Sequence, residues 1–209
     1  MYIPKTFRED DINTLHTFME IYSFATLVTQ HEGLSFATHL PFLLDAERGP
    51  NGTLLAHMAR ANPQWHDFKS AQEVLVIFQG PHAYVSPSWY EVELSVPTWN
   101  YAVVHAYGLP RLIEDQEKLY NLLNILIQAH EAQFDKPWPF QLSDDYLQKM
   151  MRGIVGFEIE ITRLEGKFKL SQNRTETERE NVIAALQEST DTLAVAELMR
   201  SMDEHELFR

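Results

Sequence analysis

Hydrophobic positions along the chain change period several times, and each change marks a new element. Ile12, Leu15, Met19 and Tyr22 recur at helical spacing, and Thr6 followed by Glu9 reads as a capping box, so the chain is predicted to open with a helix. Across residues 24–112 the pattern shortens to apolar or alternating runs broken by turn residues, among them Glu32-Gly33 and Gln79-Gly80-Pro81, which predicts antiparallel strands. Residues 74–78 are continuously apolar, as in a strand covered on both faces. Trp99, Tyr101, Val103, His105 and Tyr107 alternate with Asn100, Ala102, Val104 and Ala106, giving one bulky and one small face. Leu119, Leu122, Leu123, Leu126 and Ile127 predict a long amphipathic helix, and residues 142–151 a shorter one. Val155, Phe157, Ile159 and Ile161 mark a final strand. Thr175 with Glu178 forms a second capping box, opening a helix that buries Val182, Ile183 and Leu186, and residues 193–199 predict a last helix.

The mixture is α+β and mainly β, with an antiparallel sheet and flanking helices. No internal repeat, low-complexity tract or linker interrupts the 209 residues, so the expectation is one domain over 1–209 with a C-terminal helical extension at about 175–209. There is no cysteine, which excludes disulfides, thiol nucleophiles and Cys-ligated metal centres. A formal net charge of −13 repels phosphate backbones and anionic lipid. The first residues lack a signal-peptide pattern, and no apolar stretch approaches a membrane span, so a cytoplasmic protein is expected.

Against that acidic background, residues 163–174 hold four bases and one acid. Lys167 and Lys169, two apart on an extended segment, point the same way, with Ser171, Gln172 and Asn173 adding hydroxyl and amide groups. This island reads either as a phosphate site or as a partner for the acidic tail, in which residues 175–209 carry nine acids and three bases. A second candidate lies where a strand ending near Ala59 passes through Arg60 to Asn62 and Pro63, a good N-cap followed by a good first helical residue. Arg60 and His57 beside such a helix start make an anion site, or else Asn62 merely caps and Arg60 is a solvated charge. A third is aromatic: His82, Tyr84, Trp89 and Tyr90, then Trp99 and Tyr101, which either wall a flat ligand or serve as core and interface. The histidines are scattered and show no metal-ligand spacing, and His39 fits best as a hydrogen-bonding group near a strand end. No nucleophile elbow, phosphate-binding glycine loop or dinucleotide fingerprint occurs, and no catalytic acid or base is identifiable.

Five blocks in order, Thr38-His39-Leu40-Pro41-Phe42, the run from His57 through Arg60 and Asn62 to Trp65, the run from Gly80 to Tyr90, Val96-Pro97-Thr98-Trp99-Asn100-Tyr101, and the run from Gly166 to Arg174, resemble the PaiB family over nearly the whole chain. The family is described as an FMN-binding negative transcriptional regulator. The resemblance implies an FMN-binding split barrel like that of pyridoxamine-phosphate oxidases, a homodimer, and FMN in a cleft between subunits. It further implies that Thr38 and His39 line the flavin and that His57, Arg60 and Asn62 meet the phosphate. Thr98, Trp99 and Asn100 would approach the ring or ribityl chain, and Lys167, Lys169, Ser171 and Gln172 would close the site. Flavin redox chemistry or sensing would follow. The family label also admits a repressor acting on DNA directly or through a partner, although the net charge disfavours direct contact and no reading helix is visible. A haem-binding split barrel, with His39 or His57 as iron ligand, is the remaining alternative. No metal site is expected.

Overall fold

The computed structural model describes residues 1–70, 72–90, 94–140 and 142–203. Its strands are β1 (Arg8–Glu9), β2 (Phe24–His31), β3 (Leu34–Pro41), β4 (Leu43–Asp45), β5 (Thr53–Ala59), β6 (Val74–Val85), β7 (Thr98–Ile113) and β8 (Ile154–Lys169). Its helices are α1 (Ile12–Ile21), α2 (Gln116–Glu131), α3 (Asp144–Met151), α4 (Glu176–Leu186) and α5 (Leu193–Asp203). The strand order is β3-β2-β6-β7-β8-β5-β4, with β1 pairing to β8 off that path. Pairings β2 with β3, β4 with β5, and β5 with β8 are all antiparallel.

The chain forms two compact units, and the long strands β6, β7 and β8 contribute a segment to each. One comprises Met1–Tyr22, Ile77–His105 and Leu164–Arg209. Its core gathers Phe18 and Met19 of α1, Phe168 and Leu170, and the inner faces of α4 and α5, including Val182, Leu186, Val195 and Met199. The Phe18 ring lies 5.1 Å from that of Phe168. The predicted capping box at Thr175 and Glu178 is present and starts α4. The one predicted at Thr6 is not. Thr6 lies in a short 3-10 turn, and α1 instead starts at Asp11, whose carboxylate accepts from Thr14 N at 2.8 Å. That contact holds the Asp11 carboxyl below its usual range.

The other unit comprises Ser23–Val76 and Ala106–Arg163. Leu54, Ala56 and Met58 of β5 and Val155, Phe157, Ile159 and Ile161 of β8 are buried, with Phe42 packed edge-on and Phe68 tilted against Phe157. Leu55 points to a second cluster, built on Leu119, Leu122 and Leu126 of α2 and Met151 of α3. α2 begins where Asp115 accepts from Lys118 N at 2.9 Å.

Two strand expectations are corrected. Gln79-Gly80-Pro81 does not turn, because β6 runs through it from Val74 to Val85. The glycine is needed there for close approach: a Cβ at Gly80 would meet the Phe18 ring at 2.7 Å. Residues 74–78 are not covered on both faces either, since Val74, Val76 and Phe78 are buried while Leu75 and Ile77 are only half-buried. In β7 the small face, Asn100, Ala102, Val104 and Ala106, is the buried one, and the bulky face stays accessible.

Candidate functional site

The predicted ligand residues fall five in one unit and seven in the other. In the unit that contains β5, that strand ends at Ala59 as expected and Arg60 follows. Its backbone donates to Gly153 O at 2.8 Å, while Nε donates to Arg152 O and Nη2 to Ile154 O, each at 2.8 Å. One side of the guanidinium fork thus clasps the turn that leads into β8. The remaining Nη1–Nη2 edge has no carboxylate partner among the described residues, and it presents two parallel N–H groups, the geometry that takes an anion bidentately.

Asn62 caps as expected, its carboxamide oxygen accepting from Gln64 N at 3.0 Å, but the helix it starts is a 3-10 segment, Pro63–Ser70. The other end of the amide donates to Thr38 Oγ1 at 2.9 Å, so two predicted residues from separate blocks meet. Gln64, fully buried, carries the same attachment further, with Nε2 donating to Leu27 O and Phe36 O, both at 3.2 Å. His39 is hydrogen-bonded through Nδ1 to Thr26 Oγ1 at 2.9 Å on the accessible side of the hairpin. His57 is half-buried, and burial pushes its pKa down, which favours the neutral ring. Its Nδ1 and the Oε1 of Gln64 are buried without a hydrogen-bond partner among the described residues.

In the other unit, Lys169 donates to Thr98 Oγ1 and to Trp99 O. Burial, reinforced by the charges of Lys167 and Arg174, lowers its pKa. Lys167 lies over two rings, 5.7 Å from that of Tyr2 and 5.3 Å from that of Tyr101. Trp99 is 52% exposed and forms an aromatic group with His82 and Tyr84, each ring centroid 6.0 Å from its own. Asn100 and Ser171 turn inward. They are buried and bonded to each other, Asn100 Nδ2 donating to Ser171 Oγ at 3.0 Å and contacting Met199 Sδ at 3.3 Å. Gln172 is bonded locally, its Oε1 accepting from Leu170 N at 2.8 Å and its Nε2 donating to Phe168 O at 2.5 Å. These three hold the end of β8 and the helices behind it.

Each unit presents its own groups: the unit with β5 a guanidinium edge and an imidazole nitrogen buried without a partner among the described residues, the other an exposed indole and two ammonium groups without a carboxylate partner among the described residues. Sequence reasoning missed Gln64, which was legible in principle as the second residue after an N-cap, and Arg152, whose backbone carbonyl meets Arg60 across a long separation in sequence and carries no local signal.

This fold, a mostly antiparallel sheet with several helices, is the flavin-binding split-barrel class. Residues 1–163 match the family model described as "Putative FMN-binding domain". The protease synthase and sporulation protein PAI 2 of Bacillus subtilis is 42% identical over 203 residues, covering 95% of this chain and 96% of that one. The chain therefore belongs to this FMN-binding domain family, the PaiB family of its sequence resemblance. In structure it is similar to the flavocytochrome Anf3 from Azotobacter vinelandii (TM-score 0.56, 15% identity, 80% of this chain and 72% of that one). It is similar likewise to the FAD and heme binding protein from Mycobacterium smegmatis (TM-score 0.56, 15% identity, 78% and 73%). Among the described residues, no helix is long and apolar enough to cross a membrane and no cluster could hold a metal ion.

Proposed function

We propose that this protein binds FMN non-covalently, as a homodimer, and uses it for electron transfer or sensing. The observation that carries the reading is the free edge of Arg60, fixed from behind by two backbone carbonyls and aimed for a phosphate. His57 and Asn62 meet the phosphate with it, and Thr38, which Asn62 hydrogen-bonds, lines the flavin together with His39. Lys167, Lys169 and Thr98 supply further cationic and hydroxyl contacts, and Trp99 offers a stacking plane. Asn100, Ser171 and Gln172 shape that surface from behind. Bound FMN supplies one- and two-electron redox chemistry, while the protein contributes binding, orientation and shielding from water.

The accessible bulky face of β7, with Trp99 52% and the neighbouring Tyr84 46% exposed, supports a second copy as the surface that completes the site. On this reading the 209 residues act as one functional domain. Direct repression of DNA is set aside, because a net charge of −13 opposes duplex phosphates.

Two measurements test the proposal. Freshly purified protein should show flavin absorbance in the visible and run as a dimer by light scattering. A colourless protein whose melting temperature does not move when FMN is added would refute it.

A further inference from the structure

Within the unit that contains β5, a cavity of about 310 Å³ opens between Trp65, the start of α2 and the end of α3. That is the lower end of the range for small-molecule pockets, roughly 300–1,000 Å³. Leu119, Met151 and Val155 make its apolar walls. All three are buried. Trp65 is fixed beside them, its indole N–H donating to Arg60 O at 3.0 Å. The charged lining is two arginines, Arg60 and Arg152, and one acid, Glu114, with the Gln148 amide nearby. Arg152 has no acceptor or carboxylate partner among the described residues, and it is exposed at the rim.

We propose that this cavity binds a small amphipathic monocarboxylate, an acid head on an aromatic or branched apolar body. The head is held by Arg152, assisted by the Gln148 amide, and the body lies against Trp65, Leu119 and Met151. Two features select this class. Arg152 is the lining cation left without an acceptor among the described residues, and one guanidinium balances one carboxylate, whereas a phosphate dianion there would leave an uncompensated negative charge. The walls are leucine, methionine and valine, which match a hydrocarbon body and not the polyol chain of a flavin or a bare inorganic anion. Arg60 serves here as a wall and a source of field, with its fork already committed on one side to the backbone of Arg152 and Ile154. The site goes beyond the flavin reading; the two share Arg60, whose free edge that reading gives to the FMN phosphate, while the acid head here is held by Arg152.

The full-length protein tests this by calorimetric titration with 3-phenylpropanoate, using 3-phenylpropanol, inorganic phosphate and FMN as comparison probes. The acid should bind, the alcohol and phosphate should not at the same concentration, and the acid should still bind with FMN present. Arg152→Gln, at an exposed position, should weaken the acid by about tenfold or more, the loss of one charge-assisted contact. Glu114→Gln, which raises the lining charge, should admit inorganic phosphate. No binding of the acid, equal binding by Arg152→Gln, or loss of binding when FMN is added would each overturn the proposal. Flavin absorbance is read separately, so either reading can fail alone.

Discussion

The carboxamide of Asn62 joins Thr38, donating to its hydroxyl at 2.9 Å while accepting from the backbone of Gln64 at 3.0 Å. One side chain therefore starts the 3-10 segment and ties it to β3. Asn62→Ala removes both contacts and leaves the Thr38 hydroxyl with one partner fewer. A loss of about 1–3 kcal/mol in unfolding free energy is expected, measured by urea denaturation. Asn62→Asp, which keeps the cap but cannot donate, should recover roughly half of that.

Arg60 fixes the turn before β8 through two carbonyls, so its charge and its shape are separable. Arg60→Lys keeps the charge and loses the fork. It should destabilise the protein by about 1–2 kcal/mol in thermal or chemical denaturation, nearly as much as Arg60→Ala. Full stability of the lysine variant would show that the clasp does not matter in solution.

His31 and His57 should give opposite pH dependences. The Asp67 carboxylate accepts a hydrogen bond from Thr29 and lies 2.8 Å from His31 Nδ1. That hydrogen bond, with the charges of Asp67 and Glu32, raises the pKa of His31 above its unfolded value of about 6.5. Its stabilisation is complete below that value and is lost as pH rises through the folded pKa. His57 is half-buried and desolvation lowers its pKa, so its contribution is present above about 6.5 and is lost as pH falls through the folded value. Melting temperatures between pH 5 and pH 8.5 should show His31→Gln losing most at the acid end. A neutral replacement, His57→Gln, should flatten the acid-side fall. Parallel curves for wild type and both variants would contradict this.

Gly108 on β7 passes so close to β8 that a Cβ would land on the carbonyl of Glu160 and, at 2.6 Å, on Ile159 Cγ2. Backbone cannot step aside as a flexible side-chain end can. Gly108→Ala should cost about 2–3 kcal/mol or prevent folding, read from soluble yield and denaturation.

The fold was legible wherever one period was sustained. The alternation from Trp99 to Tyr107 and from Val155 to Thr162 predicted β7 and β8, and capping chemistry at Thr175 predicted the start of α4. Local signals failed where a tertiary contact outweighed them. Gly80-Pro81 looks like a turn, yet the Phe18 ring needs the missing side chain there and the strand runs on. Thr6 and Glu9 have capping-box spacing, but Asp11 is better placed to cap, and the Glu9 carboxylate accepts from Asp11 N instead. For the site, residue type and charge singled out Arg60, Lys167 and Lys169 as the cations proposed for it. They did not show which direction each polar group faces, so Asn100, Ser171 and Gln172 read as ligand contacts although they hydrogen-bond within the protein.

The most direct test of flavin recognition is a pair of fluorescence-quench titrations, FMN against riboflavin, on wild type and Arg60→Ala. These ligands differ only in the phosphate. Wild type should prefer FMN, and Arg60→Ala should weaken FMN by about tenfold or more while leaving riboflavin nearly unchanged, as expected for one lost charge-assisted contact. Equal affinity of the wild type for both, or the same fractional loss for both in the variant, would contradict the role given to Arg60.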